Sequence, residues 1–66
     1  MNDLKELADR GYYIALTVFP GRVGLYLAEW HGERVNVHYD FDTIEQAIAW
    51  AKKEADSYEA NTNKGD

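Results

Sequence analysis

The chain has 66 residues, no cysteine and a formal net charge of −5. That length allows one domain with one core, and a domain this small buries only about 60% of the surface its unfolded chain exposes. Disulfide and cysteine–zinc staples are excluded, seven basic against twelve acidic residues disfavour direct binding to a polyanionic nucleic acid, and a hydrophobic content of 45% is too high for a disordered chain.

The first element runs from Asn2 to Arg10. Asp3 and Glu6 have capping-box spacing, and Leu4, Leu7 and Ala8 make one apolar stripe at helical spacing. Gly11 stands where a glycine ends a helix. A helix this short needs a surface to dock on. The same stretch is polar and carries charges of both signs, unlike a signal peptide. No apolar run approaches the ~20 residues of a membrane span. A cytoplasmic protein is expected, with no membrane partner.

Three strand-like runs follow, Tyr12 to Phe19, Val23 to Glu29 and Glu33 to Phe41. Pro20-Gly21 and His31-Gly32 mark the turns between them. If Phe19 and Arg22 flank the first turn, Val18 faces Val23, Leu16 faces Leu25 and Ile14 faces Leu27. Every pair is apolar, so one face is consistently buried. In the second hairpin a three-residue loop, Trp30-His31-Gly32, with Gly32 in the left-handed position of a bulge, pairs Leu27 with Val35, Leu25 with Val37 and Val23 with Tyr39. The sheet is then a meander of order 1-2-3.

The last element is a helix opened by Asp42 with Glu45, or Thr43 with Gln46, as a capping-box pair. Ile44, Ala47, Ile48, Ala51, Ala55 and Tyr58 form its apolar stripe. A disordered tail is expected over 61–66. The fold class is α+β: a short helix, a three-stranded antiparallel meander and a C-terminal helix packed on one sheet face, in a single domain over 1–60. The expected core is Ile14, Leu16, Val18, Val23, Leu25, Leu27, Val35, Val37, Tyr39, Ile44, Ile48 and Ala51.

The face away from the C-terminal helix is the candidate site. It takes Tyr13, Ala15, Thr17 and Phe19 from the first strand. Gly24, Tyr26, Ala28 and Trp30 come from the second, and Arg34, Asn36, His38 and Asp40 from the third. Tyrosine, tryptophan and arginine are enriched at binding hot spots. The candidate partner-binding residues are Tyr13, Phe19, Tyr26, Trp30, Arg34, Asn36, His38 and Trp50. Trp50 lies outside the helix stripe and reads either as a flank of the core or as an exposed anchor. The N-terminal helix could instead fold over this face through Leu4 and Leu7, making the tyrosines a second small core.

Chemistry finds little support. His31 and His38 lack a partner at metal-ligand spacing. Asp40, Asp42 and Glu45 cluster, but helix capping accounts for two of them. Ser57 has no histidine near it in sequence to activate it. The glycines mark turns and a strand and form no phosphate loop. No enzyme activity, metal or cofactor is expected.

Two resemblances bear on function. The order helix, three strands, helix resembles the double-stranded-RNA-binding domain, with Ala51-Lys52-Lys53-Glu54-Ala55 similar to that family's lysine-bearing helix segment. It implies RNA binding, which the acidic charge disfavours. From Tyr12 to Tyr58 the chain resembles the HicB-like antitoxin domain, a βββα unit. There Phe41-Asp42-Thr43-Ile44-Glu45-Gln46-Ala47-Ile48 matches the family's helix-opening motif. That resemblance implies a small protein that neutralises a partner by binding it. Small acidic phage proteins that block host defence complexes, such as anti-CRISPR proteins, are similar in size and charge.

The function expected is a non-catalytic protein-binding module. It is read as a small acidic inhibitor or antitoxin-type protein of a phage or mobile element. Its partner is a protein, such as a nucleic-acid-binding complex, whose basic surface it occludes. The acidic residues assigned to that contact are Asp40, Asp42, Glu45, Asp56 and Glu59. The alternative is a self-assembling homodimer made through the exposed face or an edge strand.

Overall fold

The computed structural model describes residues 3–64. Five elements follow in chain order: α1 (Asp3–Asp9), β1 (Tyr12–Phe19), β2 (Arg22–Glu29), β3 (Arg34–Phe41) and α2 (Ile44–Lys64). The strands form one antiparallel sheet of order β1-β2-β3, with α2 packed on it, giving the expected α+β class. No helix among the described residues is long and apolar enough to cross a membrane.

Each boundary has a local cause. Gly11, at φ 99°, lets the chain leave α1 in a conformation that side chains resist. The N–H groups of Arg10 and Gly11 close the helix on the carbonyls of Glu6, Leu7 and Ala8. The partner proposed for Glu6 in capping, Asp3, lies outside the described side chains. Pro20 fixes its own φ, so the positive φ of the next turn falls on Gly21, at 83°, as in a type II turn. At the start of α2 the Gln46 N–H donates to Thr43 Oγ1 at 3.1 Å, while Gln46 Oε1 accepts from the Asp42 N–H at 3.0 Å. Of the two capping pairs the sequence offers, Thr43 with Gln46 is the one used. The helix continues past Asn61 to Lys64, four residues beyond the tail boundary expected from composition, and residues 65 and 66 lie outside the described residues.

The β1–β2 register is the expected one, with Leu16 opposite Leu25 and Ile14 opposite Leu27. The β2–β3 register is not. The Glu29 N–H donates to the Glu33 carbonyl across the turn, and Ala28 faces Arg34, so the three-residue loop is correct at its mouth. A register shift between Leu27 and Ala28 then places Asn36 opposite Leu27 and His38 opposite Leu25. A second shift between Val23 and Leu25 brings Phe41 opposite Val23. One residue of slip moves a whole strand to the other face. Asn36 and His38 therefore turn toward α2, and Val37 and Tyr39 toward the open side, the reverse of the expected arrangement. Gly32 has no positive φ and is not the left-handed residue of a bulge. The carboxylate end of the flexible Glu29 side chain lies where a Cβ of residue 32 would point, a space that this side chain can vacate at little cost.

The core lies between β2 and the two helices. Leu7, Tyr12, Val23, Leu25, Leu27, Ala47, Ala51 and Ala55 form one buried cluster. The three alanines recur every four residues, so one small-residue line of α2 faces the sheet and lets the helix approach closely. Leu7 belongs to this cluster, so α1 packs beside α2 and does not fold over the opposite face. Three expected core residues are exposed instead. Val18 lies beyond the reach of both helices at the hairpin end, Ile44 sits in the first turn of α2, and Tyr39 is on the open face. Ile14, Leu16, Val35, Val37 and Ile48 are half-buried.

Candidate functional site

With both helices on one side, the other side of the sheet is uncovered. Tyr13, Ala15, Thr17 and Phe19 of β1 share it with Gly24, Tyr26 and Ala28 of β2 and Val37 and Tyr39 of β3. Its rings form two groups. Tyr13 lies edge-on to Tyr26 at 6.2 Å and beside Trp30 at 5.9 Å. At the hairpin end, Phe19 lies edge-on to Tyr39 at 6.2 Å. Such edge-on pairs are favourable beyond their area burial, which holds the rings in place although four of the five are exposed. Between the groups, the Tyr39 ring fills the space above Gly24.

Of the partner-binding residues named from sequence, Tyr13, Phe19, Tyr26 and Trp30 are brought together here. Arg34, opposite Ala28, lies at one end of the face. Asn36 and His38 are not part of it. Asn36 Nδ2 donates to Glu54 Oε1 on α2 at 3.0 Å. His38 packs against Phe41 at 4.9 Å and Trp50 at 6.1 Å. Trp50, half-buried and 5.4 Å from Phe41, is a flank of the core. Tyr39 and Val37 are members of the face that sequence reasoning placed in the core. The signal that could have found Tyr39 is Gly24, a strand glycine that leaves room for a ring from the neighbouring strand.

The acidic residues belong elsewhere. The strand residues of the open face include no carboxylate, and Arg22 and Arg34 stand at its two ends. Asp56 and Glu59 serve the fold. Arg10 donates to Asp56 Oδ1 at 2.9 Å and to Glu59 Oε2 at 3.3 Å, with Glu59 Oε1 at 2.9 Å. This fork ties the end of α1 to α2 and suits a planar guanidinium. The Arg10 guanidinium also lies 5.8 Å from the centre of the Tyr12 ring. Asp40, Asp42 and Glu45 are exposed and make no ion pair among the described residues. No group of three or more histidine or carboxylate side chains among the described residues is placed to hold a metal ion.

Two groups in this network are shifted. The bonds to Asp56 and Glu59 raise the pKa of the Arg10 guanidinium above its ordinary value. Burial, reinforced by the bond to Glu59, pushes the Tyr12 phenol above its ordinary 10. Tyr12 Oη donates to Glu59 Oε2 at 2.8 Å, with the Ala55 carbonyl at 3.4 Å as a second acceptor. A raised phenol pKa means that the folded state holds its proton longer than the unfolded chain. The stabilisation is complete below about pH 10 and is lost as the pH rises toward the folded value. Tyr12→Phe is expected to cost about 1.5 kcal/mol at neutral pH and to flatten the loss of stability above pH 10. Urea titrations of both proteins from pH 7 to 11 check this, and parallel alkaline slopes would refute it.

A cleft of about 550 Å³ closes the turn end of the sheet, bordered by Arg10, Tyr12, Glu29, Trp30, Tyr58 and Glu59. Its aromatic walls and carboxylates suit a cationic group, and Arg10 already provides one. No family model, curated protein or solved structure matches this chain.

Proposed function

We propose that this chain is a non-catalytic protein-binding module, a small acidic inhibitor or antitoxin-type protein of a phage or mobile element. It docks a partner on the open face of its sheet. The observation that supports this reading is the placement of both helices on one side, which leaves Tyr13, Phe19, Trp30 and Tyr39 exposed on or beside the other. Contiguous exposed apolar surface of this kind marks interaction sites in monomeric proteins. Tyrosine rings bring large contact area at low entropic cost and a hydroxyl that still forms hydrogen bonds.

The acidic residues play a narrower part than all five candidates suggest. Asp56 and Glu59 are held by Arg10. Asp40, Asp42 and Glu45, around the start of α2, are left to face the basic surface of a nucleic-acid-binding partner. Occlusion of that surface is the mechanism. The tyrosine face supplies affinity, and the carboxylates supply steering that weakens with salt.

The test is capture of a partner from host lysate by the wild-type chain, by a Tyr13→Ala/Tyr26→Ala variant and by Lys53→Ala. Loss of two hot-spot rings is expected to cost about 2 kcal/mol or more, at least a thirtyfold loss of affinity. Lys53→Ala is expected to bind like the wild type. Equal capture by all three proteins would remove the open face from the binding site. Affinity that does not change between about 50 and 500 mM salt would remove the carboxylates.

A further inference from the structure

The two edges of the sheet differ in kind. Native proteins blunt exposed edges with charges, bulges and local hydrogen bonds, because unpaired main-chain groups are a template for another strand. β3 is blunted in these ways. It carries Arg34 and Asp40, it borders two register shifts, and its Val37 N–H donates to Asn36 Oδ1 at 2.8 Å. β1 has none of them. Its residues, Tyr12–Phe19, include no charge and no proline, and its pairing with β2 has no break in register.

The direction of the β1 main-chain groups follows from one bond. The Trp30 N–H donates to the Gly11 carbonyl at 2.9 Å, one step beyond the Tyr12–Glu29 pair. Hydrogen-bonded and non-bonded pairs alternate along an antiparallel ladder. The odd-numbered residues of β1 therefore bond to β2, and Ile14, Leu16 and Val18 point their N–H and C=O groups outward. The side chains of these same residues are the uncovered part of the helix-side layer. Val18 is 67% exposed, and Ile14 and Leu16 are half-buried, whereas their partners Val23, Leu25 and Leu27 on β2 are buried. A groove of about 460 Å³ runs along this edge between Leu4 and Ala8 of α1 and Tyr13, Ile14 and Leu16 of β1.

We infer that a second copy of this chain pairs with the β1 edge, β1 against β1 and antiparallel, to give a six-stranded sheet with all four helices on one side. Parity selects the register. Helix-side residues meet helix-side residues only when a residue pairs with its own copy or with one an even number of positions away. With Leu16 on the two-fold axis, the exposed Val18 faces Ile14 of the second copy, and Phe19 faces Tyr13. The Leu16–Leu16 and Ile14–Val18 pairs are then the hydrogen-bonded ones, satisfying the outward groups. No charged residue of β1 meets another, and opposed charges are what usually forbid self-pairing.

The area sets the strength. An eight-residue strand is about 26 Å long and a strand is about 4.8 Å wide. An edge of that length and about 10 Å thick presents roughly 260 Å² per copy, about a third of the ~800 Å² of a standard interface. An interface of that size is that of a weak, reversible dimer. The consequence concerns the open face. One copy offers a projected face of about 370 Å², and the dimer about 750 Å², which approaches the size a specific partner requires. The dimer itself does not depend on the function proposed above.

Sedimentation velocity on the intact chain from about 5 to 500 µM, a range suited to a weak dimer, tests the inference. The mass is expected to move from 7.6 kDa toward twice that value. Amide exchange at Ile14, Leu16 and Val18 is expected to slow with concentration, while the odd-numbered amides of β1 stay slow throughout. Val18→Lys, at an exposed side chain, and Val18→Pro, which deletes only an outward N–H, are each expected to keep the fold and remain monomeric. A wild-type monomer at the highest concentration overturns the inference. So does a dimer that survives both variants or that leaves those amides in fast exchange.

Discussion

Leu7→Ala is expected to cost about 2–5 kcal/mol, the range for removing a fully buried leucine when its surroundings cannot collapse. Leu7 has no exposed surface and joins α1 to the leucines of β2 and the alanines of α2. A domain of 66 residues has a total stability of roughly 3–10 kcal/mol, so the variant should sit near the unfolding threshold at 25 °C. Leu4→Ala, at a half-buried position in the β1 groove, should cost well under half as much. Urea midpoints of the two variants measure the difference. A Leu7→Ala midpoint close to wild type would mean that α1 is an appendage, free to close over the tyrosine face, and the face would then lose its standing as an open surface. The Arg10 fork makes the same assignment from the polar side, because it holds the end of α1 against α2.

What the sequence made legible was set by local chemistry. The Pro20-Gly21 turn fixes the β1–β2 register, because a two-residue hairpin leaves no freedom once Phe19 and Arg22 flank it. The start of α2 is written in Thr43 and Gln46. The faces of β3 were not legible, although its alternation of Val35, Val37 and Tyr39 with polar residues is regular. Alternation says which residues share a face and not which face it is. Two register shifts decide that, and they answer to tertiary space: Tyr39 above Gly24 on one side, and Phe41, His38 and Trp50 packed together on the other. For the same reason four of the eight candidate residues, Tyr13, Phe19, Tyr26 and Trp30, were placed on one face by sequence parity alone, while Asn36, His38 and Trp50 were misplaced or left open. Asp56 and Glu59 read as free carboxylates because their partner, Arg10, is more than 40 positions away and on another helix.

Gly24→Val tests that arrangement and should be the second most damaging substitution. A Cβ at position 24 would enter the Tyr39 ring near its root, so the ring cannot stay where it is. Overpacking of this kind costs about 1–3 kcal/mol. The ring must leave its place above Gly24 and with it the edge-on contact to Phe19. Tyr39→Ala alone should cost less, about 1 kcal/mol for a lost ring pair, because the ring is half exposed. Combining the two should recover much of the loss, since the valine then enters space the ring has vacated. A double-mutant cycle reads this as a coupling of about 1 kcal/mol or more between residues in contact. The alternative register, with Tyr39 in the core opposite Val23, predicts the reverse on each count. There Tyr39→Ala would cost as much as a buried aromatic, about 3–5 kcal/mol, Gly24→Val would be close to neutral, and the two effects would add. The cycle therefore decides which face of β3 meets solvent, and with it which side chains a docking partner would touch.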